Sequence, residues 1–416
     1  MNLRLLMLLA LVYVLFIISG CKKGPAATQE AGREEPPVES KAQIPAMAFV
    51  GVPQAETTMA RYEEMSAAGI THSYSIFSDA GSLEKAMDVA LRTGIKLFVM
   101  CPELKTDPEG TVRRFMNHGA LAGYYLSDEP GSSLFPSLGE WVCRIKAVDS
   151  QHPCYINLLP NFADALQLGL PSYREYVQQF IGKVPTQLLS FDNYPVTGTT
   201  NEDIRERWYE NLEIFSEEAA KAGIPFWAFA LTGAHSPYPE PTLAALRLQV
   251  YSDLAYGAQG IQFFTYWTLY DPGGYNFNNA PIGPDGSKTE VYDKLKSITG
   301  EIKGLSDVFL GAKLLSVAHT GAKIPVGTRR LSVLPKPVTF FETEGMGAVV
   351  SMMEKGTSLY LVVVNRDLTD PMTLRIRFTA GVGKILKDGS ALAIGGDTEI
   401  NVIEPGDVAI YSWPKI

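Results

Sequence analysis

The chain lacks the residue patterns of several large protein classes. It has 4 cysteines and 5 histidines in 416 residues, and the histidines show no metal-ligand spacing such as HxxxH. We therefore predict no disulfide scaffold, no zinc site and no catalytic metal, with Cys101, Cys143 and Cys154 as free thiols or Cys143 and Cys154 as a pair. The formal net charge is −9 and no Lys/Arg cluster offsets it, which argues against a nucleic-acid partner.

The N-terminus has the pattern of an export signal. Residues 1–20 contain Arg4 and an apolar run from Leu5 to Ile18, too short for a typical membrane span. The tetrapeptide ISGC at 18–21 resembles the lipobox of bacterial lipoproteins, which implies that Cys21 carries lipid and anchors an exported protein to a membrane. An ordinary secretory signal is the alternative. Residues 21–43 are rich in Pro, Ala, Glu and Gly and predict a flexible tether.

From residue 44 the chain repeats a short apolar strand, a loop and an amphipathic helix. Eight such strands begin near Ala46, Ile70, Ile95, Leu121, Cys154, Gln187, Ile224 and Gln259. Eight units in residues 44–308 predict a (β/α)8 barrel, that is, a TIM barrel in the α/β class. A doubly wound open sheet is the alternative, but no glycine-rich phosphate loop follows the first strand.

Residues 309–416 have a different character. Segments at 347–353, 358–366, 372–378 and 407–413 are rich in Val, Leu, Ile and Tyr and are separated by turn residues. We predict a small β-sandwich here. Its carboxylates are scattered, so we expect it to pack against the barrel rather than to carry chemistry.

Acidic and aromatic residues gather at the predicted strand ends, where TIM barrels place their active sites. Strand four runs directly into Asp128 and Glu129, and Pro130 then stops it. The end of strand six supplies Asp192, Asn193 and Tyr194, and that of strand eight supplies Tyr266 and Trp267. Aromatic rings stack on the apolar faces of sugars, and acids and amides pair with sugar hydroxyls, so this rim suits a carbohydrate.

Each of these residues also has a structural interpretation. Asp128 and Glu129 next to a proline are common turn residues. Tyr194 beside Pro195 could anchor a loop, and Trp267 could plug the barrel. The expected roles are catalysis for Glu129 and Asp192, and substrate binding for Asp128, Asn193, Tyr194, Tyr266 and Trp267.

The peptide Ser127-Asp-Glu-Pro130 resembles a motif of the (β/α)8 glycoside hydrolases, in the clan of family-5 cellulases and family-42 β-galactosidases. In that clan strand four ends in Asn-Glu, often followed by Pro, and the Glu is the general acid/base. Trp267 is similar to the tryptophan that often lies under the sugar at strand eight. The resemblance implies that Glu129 is the acid, and we expect burial among Tyr125, Tyr266 and Trp267 to raise its pKa.

One departure from that clan concerns strand seven. The clan's nucleophile is a Glu at the end of this strand, whereas residues 225–235 contain no carboxylate before Glu240. Asp192 is the best substitute, and we expect the wider carboxyl separation, about 6.5 to 9.5 Å, that leaves room for a water. An acid on strand four with Asp and Tyr on strand six is also similar to family-18 chitinases, where the substrate's acetamido group is the nucleophile. The chitinase DxxDxDxE signature is absent.

Two functions follow from these patterns. The first is a lipid-anchored glycoside hydrolase without a cofactor, in which Glu129 and Asp192 act on an oligo- or polysaccharide. The second is a carbohydrate-binding lipoprotein on a catalytically silent barrel, suggested by the missing acid on strand seven. The sequence does not specify the sugar, the linkage or the oligomeric state.

Overall fold

Eight parallel strands close into a barrel in this computed structural model, which describes residues 42–270, 273–379, 381–395 and 398–415. The strands are β1 Ala46–Phe49, β2 His72–Tyr74, β3 Lys96–Val99, β4 Leu121–Asp128, β5 Cys154–Leu158, β6 Leu189–Phe191, β7 Phe226–Leu231 and β8 Ile261–Phe264. Each pairs with its neighbour in chain order, and β8 closes the ring against β1. The predicted barrel is confirmed, and every predicted strand start lies within two residues of the observed one. The predicted signal, Cys21 and most of the tether lie outside the described residues.

Helices follow the strands and cover the outside of the barrel. They are α1 Met59–Ala67, α2 Ala80–Thr93, α3 Pro102–Thr106, α4 Pro108–Phe115, α5 Phe135–Lys146, α6 Ala165–Leu168, α7 Tyr173–Lys183, α8 Trp208–Ala222, α9 Leu243–Ala255, α10 Glu290–Gly304 and α11 Ser306–Phe309. Helix α2 shows how the sequence defines them. The Asp79 side chain caps its first turn by accepting a hydrogen bond from the Ser82 N–H, and Gly94 ends it at φ 76°.

The remaining strands form two antiparallel sheets, in agreement with the predicted β-rich region. They are β9 Lys313–His319, β10 Val338–Thr343, β11 Ala348–Lys355, β12 Ser358–Asn365, β13 Met372–Phe378, β14 Val382–Ile385, β15 Ala391–Ile394, β16 Glu399–Ile403 and β17 Val408–Pro414. One sheet has the order β15-β14-β17-β12-β11-β9 and the other β10-β13-β16. A buried apolar cluster that includes Val350, Val363 and Ile376 lies between them.

The six-stranded sheet is apolar on its second face as well. Val349, Met353, Val362 and Ile410 on this face belong to the same buried cluster as the residues between the barrel strands and their helices. Alternate residues of β11 and β12 therefore pack in two different clusters, one between the two antiparallel sheets and one shared with the barrel helices. A third cluster fills the barrel interior and is dominated by aromatic side chains, such as Phe49, Tyr125 and Tyr155.

Two negative observations concern the described residues. Among them no helix has the length and apolar character needed to span a membrane. The three cysteines that the structure describes are free thiols, with Cys101 and Cys154 buried and Cys143 exposed. Of the two alternatives for Cys143 and Cys154, the structure shows free thiols rather than a pair, and Cys143 is not buried as expected.

Candidate active site

Three carboxylates meet at the end of the barrel where the strands terminate. Asp128 is the last residue of β4, Glu129 follows it, and Asp192 follows β6. A register shift between Tyr125 and Ser127 places Asp128 opposite Asn157 of β5. Bulges of this kind redirect side chains near active sites, and here the shift brings Asp128 beside the amide that it contacts.

The carboxyl groups of Glu129 and Asp192 lie within hydrogen-bonding reach of each other. Asp128 and Glu129 reach solvent at the mouth, whereas Asp192 is half-buried. The surrounding protein nevertheless displaces much of their hydration, and this desolvation raises the pKa of Asp128 and of Glu129, the latter also through the charge of Asp128. Burial, followed by the charges of Glu129 and Asp128, raises the pKa of Asp192 well above its usual range. Glu129 and Asp192 therefore titrate as a pair rather than independently.

This contact corrects one expectation from the sequence. Hydrogen-bonding reach between two carboxyl groups is incompatible with the wide separation that we expected for Asp192 and Glu129. The pairing itself was anticipated, and the structure brings both residues into one site.

Asn157 links two of the acids and is itself held by a buried network. Its Nδ2 donates to Asp128 Oδ1 at 3.1 Å and to Asp192 Oδ1 at 2.8 Å. Its Oδ1 accepts a hydrogen bond from Ser190 Oγ at 2.9 Å, which fixes the orientation of the amide. Gln262 Nε2 in turn donates to Ser190 Oγ at 2.8 Å. The sequence-based analysis did not assign Asn157 a role, although its place at the end of strand five was the available signal.

The backbone at Glu129 has an unusual conformation. Its φ is 44°, in the left-handed region that residues other than glycine rarely adopt. The Glu129 N–H donates to the Asn157 carbonyl oxygen at 2.9 Å and secures this geometry. Strained positions of this type cluster at functional sites, so the conformation supports a role for Glu129.

Aromatic rings form the floor of the site inside the barrel. The rings of Tyr74 and Tyr125 stack with centroids 4.0 Å apart, and Tyr125 stacks on Tyr155 at 5.4 Å. Burial and the negative charge of Asp128 raise the pKa of Tyr74 to about 12. The raised pKa values keep the phenol groups of all three tyrosines neutral. The rings therefore form an uncharged floor inside the barrel.

A second group of aromatic residues lines the side of the mouth formed by β6, β7 and β8. Tyr194 stacks on Phe264 with ring centroids 5.6 Å apart. His235 stacks on Phe277 at 4.7 Å, and both side chains are half-buried. Burial, followed by the charges of Asp192 and Asp128, raises the pKa of Tyr194. Tyr194 thus lies within electrostatic reach of the acids, as its expected binding role requires.

The other three predicted site residues lie away from the acids. Asn193 is 3% exposed, and its Nδ2 donates to Asn161 and Asn211. Tyr266 is fully buried in the cluster outside the barrel strands. Trp267 lies under the Arg61 guanidinium, 5.2 Å from the ring centroid, and lines a cavity of about 610 Å³ at the rim that Phe277 also lines but none of the three acids does. Burial of Glu129 among Tyr266 and Trp267 is therefore not the cause of its raised pKa.

The end of β7 has no carboxylate. The strand ends at Leu231, and the next residue, Thr232, is fully buried. Glu240, further along this loop, forms a salt bridge with Lys294 at 2.9 Å and accepts a hydrogen bond from Asn279. Across the described residues, no cluster of His, Cys, Asp and Glu side chains has a geometry that could hold a metal ion.

Comparisons with known proteins give the fold a context. The sequence matches no protein-family model and no curated protein sequence. A catalytic mutant of a GH42 β-galactosidase from G. stearothermophilus superposes with a TM-score of 0.61 at 9% identity, covering 90% of this chain and 99% of that chain. A β-galactosidase from Bacillus circulans sp. alkalophilus gives 0.57 at 10% identity, with 89% and 99% covered.

An α-amylase from Geobacillus thermoleovorans, solved with acarbose, gives a TM-score of 0.53 at 11% identity, covering 89% of this chain and 98% of that chain. At such identities these likenesses show the fold alone. The structural neighbours are glycoside hydrolases, so this chain has a glycosidase-like fold.

Proposed function

We propose that this protein is a glycoside hydrolase in which Glu129 is the general acid. The observation that carries the proposal is the close pair of Glu129 and Asp192 at the C-terminal mouth of a glycosidase-like barrel. Cleavage of a glycosidic bond requires a protonated acid beside the leaving oxygen, and the raised pKa of Glu129 favours its protonated form. The half-buried rings of His235 and Phe277 at the mouth would hold the sugar.

In this mechanism Asp192 acts on Glu129 rather than from the opposite face of the sugar. The contact between the two carboxyl groups allows Asp192 to pass a proton to Glu129 as Glu129 gives its own proton to the leaving oxygen. The proton that the attacking water releases then returns to the pair. Asn157 donates to Asp192 and keeps its carboxylate oriented during the exchange. The groups that do not fit a substrate-binding role are Asn193, whose amide is used within the protein, and Tyr266.

The nucleophile must then come from a different group. β7 ends without an acid, and Asp192 is too close to Glu129 to attack the other side of the ring. Either a water or the acetamido group of an N-acetylated sugar would meet this need, and the second route is known for glycosidases that lack a carboxylate nucleophile. We therefore place N-acetylhexosaminides first among the substrates to be tested.

A panel of aryl glycosides and oligosaccharides tests the proposal with the full-length protein. Glu129→Gln should lower turnover by about 100-fold to 10,000-fold on substrates with poor leaving groups, because the proton donor is lost. The loss should be smaller for a nitrophenyl leaving group that needs no protonation. Glu240→Gln, a carboxylate on the same rim but paired with Lys294, is the matched control and should keep full activity. Wild-type turnover in Glu129→Gln on a poor leaving group would exclude Glu129 as the acid.

The second candidate is a carbohydrate-binding protein without hydrolytic activity, favoured by the missing carboxylate at β7. Saturable binding of a glycan with no turnover in the wild type would support it. In that case Glu129→Gln should leave the affinity largely unchanged, because binding uses the aromatic surfaces rather than the acid.

We also propose that the protein is a membrane-anchored lipoprotein, on the basis of the ISGC tetrapeptide that ends at Cys21. The test is fractionation of cells that express the wild type or Cys21→Ser. The wild type should partition with membranes and the variant should be released. A membrane-bound Cys21→Ser variant would point to an uncleaved hydrophobic anchor instead.

A further inference from the structure

A cavity of about 470 Å³ lies between the barrel and the six-stranded sheet, and its lining includes none of the three carboxylates of the candidate active site. On the barrel side it is bounded by residues 201–206 and by Tyr209 of α8, and on the other side by residues 322–326 and 345–346. Arg366 forms part of its wall. We call this space the junction cavity. Its volume is in the range of small-molecule sites, about 300 to 1,000 Å³.

Arg366 has hydrogen-bonding capacity that the surrounding protein does not use. The residue is 4% exposed, and its Nη2 donates to the carbonyl oxygens of Thr320, Lys323 and Met346. Its Nε is buried and has no partner. Its Nη1 forms no hydrogen bond with any of the described residues. The backbone carbonyl groups thus accept hydrogen bonds from only one of the three guanidinium nitrogens.

The charge of Arg366 is also uncompensated. Within the described part of the chain no carboxylate forms an ion pair with it, and burial, followed by the charge of Arg330, lowers its pKa. The adjacent Asp367 is used elsewhere, since its Oδ1 accepts hydrogen bonds from Asn201 and from the backbone N–H groups of Thr369 and Asp370. Buried charges in proteins are normally paired, so an unpaired guanidinium in a cavity wall calls for an anion.

The positive charge of Arg366 also affects His319. His319 is fully buried and its Nε2 lies 2.8 Å from the Tyr256 hydroxyl. Burial, followed by the charge of Arg366, lowers the pKa of His319 to about 3. His319 is therefore neutral and adds no charge of its own. The side chains that line the junction cavity include three cations, Arg205, Lys323 and Arg366, and two carboxylates, Glu206 and Asp367, so positive charge is in excess.

We infer that the junction cavity binds a small organic carboxylate, with its anionic group against Nη1 of Arg366. The apolar side chains of Pro325, Val326 and Met346 line the same space and would cover the body of the ligand. Inorganic phosphate has no apolar part, so these side chains would stay in contact with water if phosphate were bound. Arginine hydrogen bonds to carboxylates are charge-assisted and therefore stronger than neutral ones.

Calorimetric titration of the full-length protein with hexanoate and octanoate tests this inference. Each carboxylate should bind saturably, while hexanamide, octanamide and inorganic phosphate should bind about tenfold more weakly or less, since each lacks either the charge or the apolar body. Val326→Glu places a negative charge in the cavity wall without touching Arg366 and should weaken carboxylate binding by about tenfold or more. Val333→Glu is the matched control, since Val333 is 78% exposed and lies outside the cavity wall.

Three results would overturn the inference: no saturable binding of either carboxylate, equal binding of the matching amides, or unchanged affinity in Val326→Glu. The titrations contain no glycan. Their outcome is therefore independent of the proposed hydrolase activity, and each proposal can fail without the other.

Discussion

The Glu129 carboxyl group lies within hydrogen-bonding reach of the Asp192 carboxyl group, although one residue follows β4 and the other follows β6. Two acids in such contact cannot both be ionised without strong repulsion, so they titrate as a pair. This relationship makes the stability and activity of the protein depend on pH in a defined direction.

Asp192→Asn should stabilise the protein at neutral and alkaline pH. The pKa of Asp192 is raised in the folded state, so the folded protein binds more protons than the unfolded chain between the unfolded and the folded pKa values. Stability is therefore lost as the pH rises through this window, by about 1.4 kcal/mol for each unit of pKa shift. Asparagine cannot ionise and removes that loss.

Thermal unfolding across pH is the measurement for this variant. The melting temperature of Asp192→Asn should exceed that of the wild type at pH 8, and the difference should shrink toward pH 4. A constant difference at every pH would show that the effect does not come from ionisation. Activity should fall in the same variant, because the proton partner of Glu129 is lost.

Asn157→Ala should raise the pKa values of Asp128 and Asp192, since the amide hydrogen bonds lower both. The variant also leaves the buried Ser190 hydroxyl without its acceptor, which should cost about 1 to 3 kcal/mol of unfolding free energy. Carbon-13 NMR titration of the carboxyl groups and urea denaturation measure the two effects. Ser190→Ala is the control: it should lower stability with a smaller change in the two pKa values. Unchanged pKa values in Asn157→Ala would contradict the bridging role.

Phe277→Ala should weaken substrate binding and leave folding intact. The Phe277 ring is half-buried at the mouth and stacks on His235. Loss of a sugar-stacking surface should raise KM by roughly threefold to tenfold with little change in kcat. Phe340→Ala removes an aromatic ring from β10 in the three-stranded sheet and should leave KM and kcat unchanged. A fall in kcat alone would place Phe277 outside the binding surface.

Arg247→Met should destabilise the contact between the barrel and the six-stranded sheet. Arg247 on α9 pairs with Glu301 of α10 at 2.5 Å and with Asp407 beside β17 at 3.4 Å. These side chains are mostly buried, so the loss should lie between surface and fully buried pairs, at about 1 to 3 kcal/mol. Equilibrium urea unfolding measures it, with the exposed Arg113→Met of α4 as the control.

The effect of Arg247→Met should also depend on pH. Burial alone would raise the pKa of Glu301, but hydrogen bonds from Arg247 and Tyr251 bring it below its usual value. This contribution to stability is present above the unfolded pKa and is lost as the pH falls through the folded pKa. The wild type and the variant should therefore converge in acid, and a difference that grows there would contradict the ion-pair explanation.

The barrel could be predicted from the sequence because its strands repeat a regular local pattern. Each strand is short, apolar and followed by an amphipathic helix, and helix ends such as Gly94 and Gly223 carry the expected left-handed glycine. Residues at strand ends could also be assigned to the mouth, since parallel strands point the same way. Glu129, Asp128 and Asp192 follow from that rule.

Side-chain directions beyond the strands could not be predicted in this way. Strand β8 ends at Phe264, and the two-residue alternation does not continue to Tyr266 and Trp267, which turn outward. The register shift at Leu126 that aligns Asp128 with Asn157 is likewise invisible in a single sequence. Because this shift sets the position of the end of β4, the approach of Glu129 to Asp192 could not be predicted, and so our expected separation was wrong.

The shared cluster that joins Val349, Val362 and Ile410 to the barrel helices has a consequence for engineering and for descent. The chain changes from barrel to antiparallel sheet near residue 309, yet side chains from both parts pack in one hydrophobic cluster. Grafting this barrel onto a foreign C-terminal module, or exchanging the module between relatives, would require matched substitutions on α8 and α9. We therefore expect substitutions in one part to be accompanied by compensating substitutions in the other, and we do not expect the two parts to be freely exchangeable.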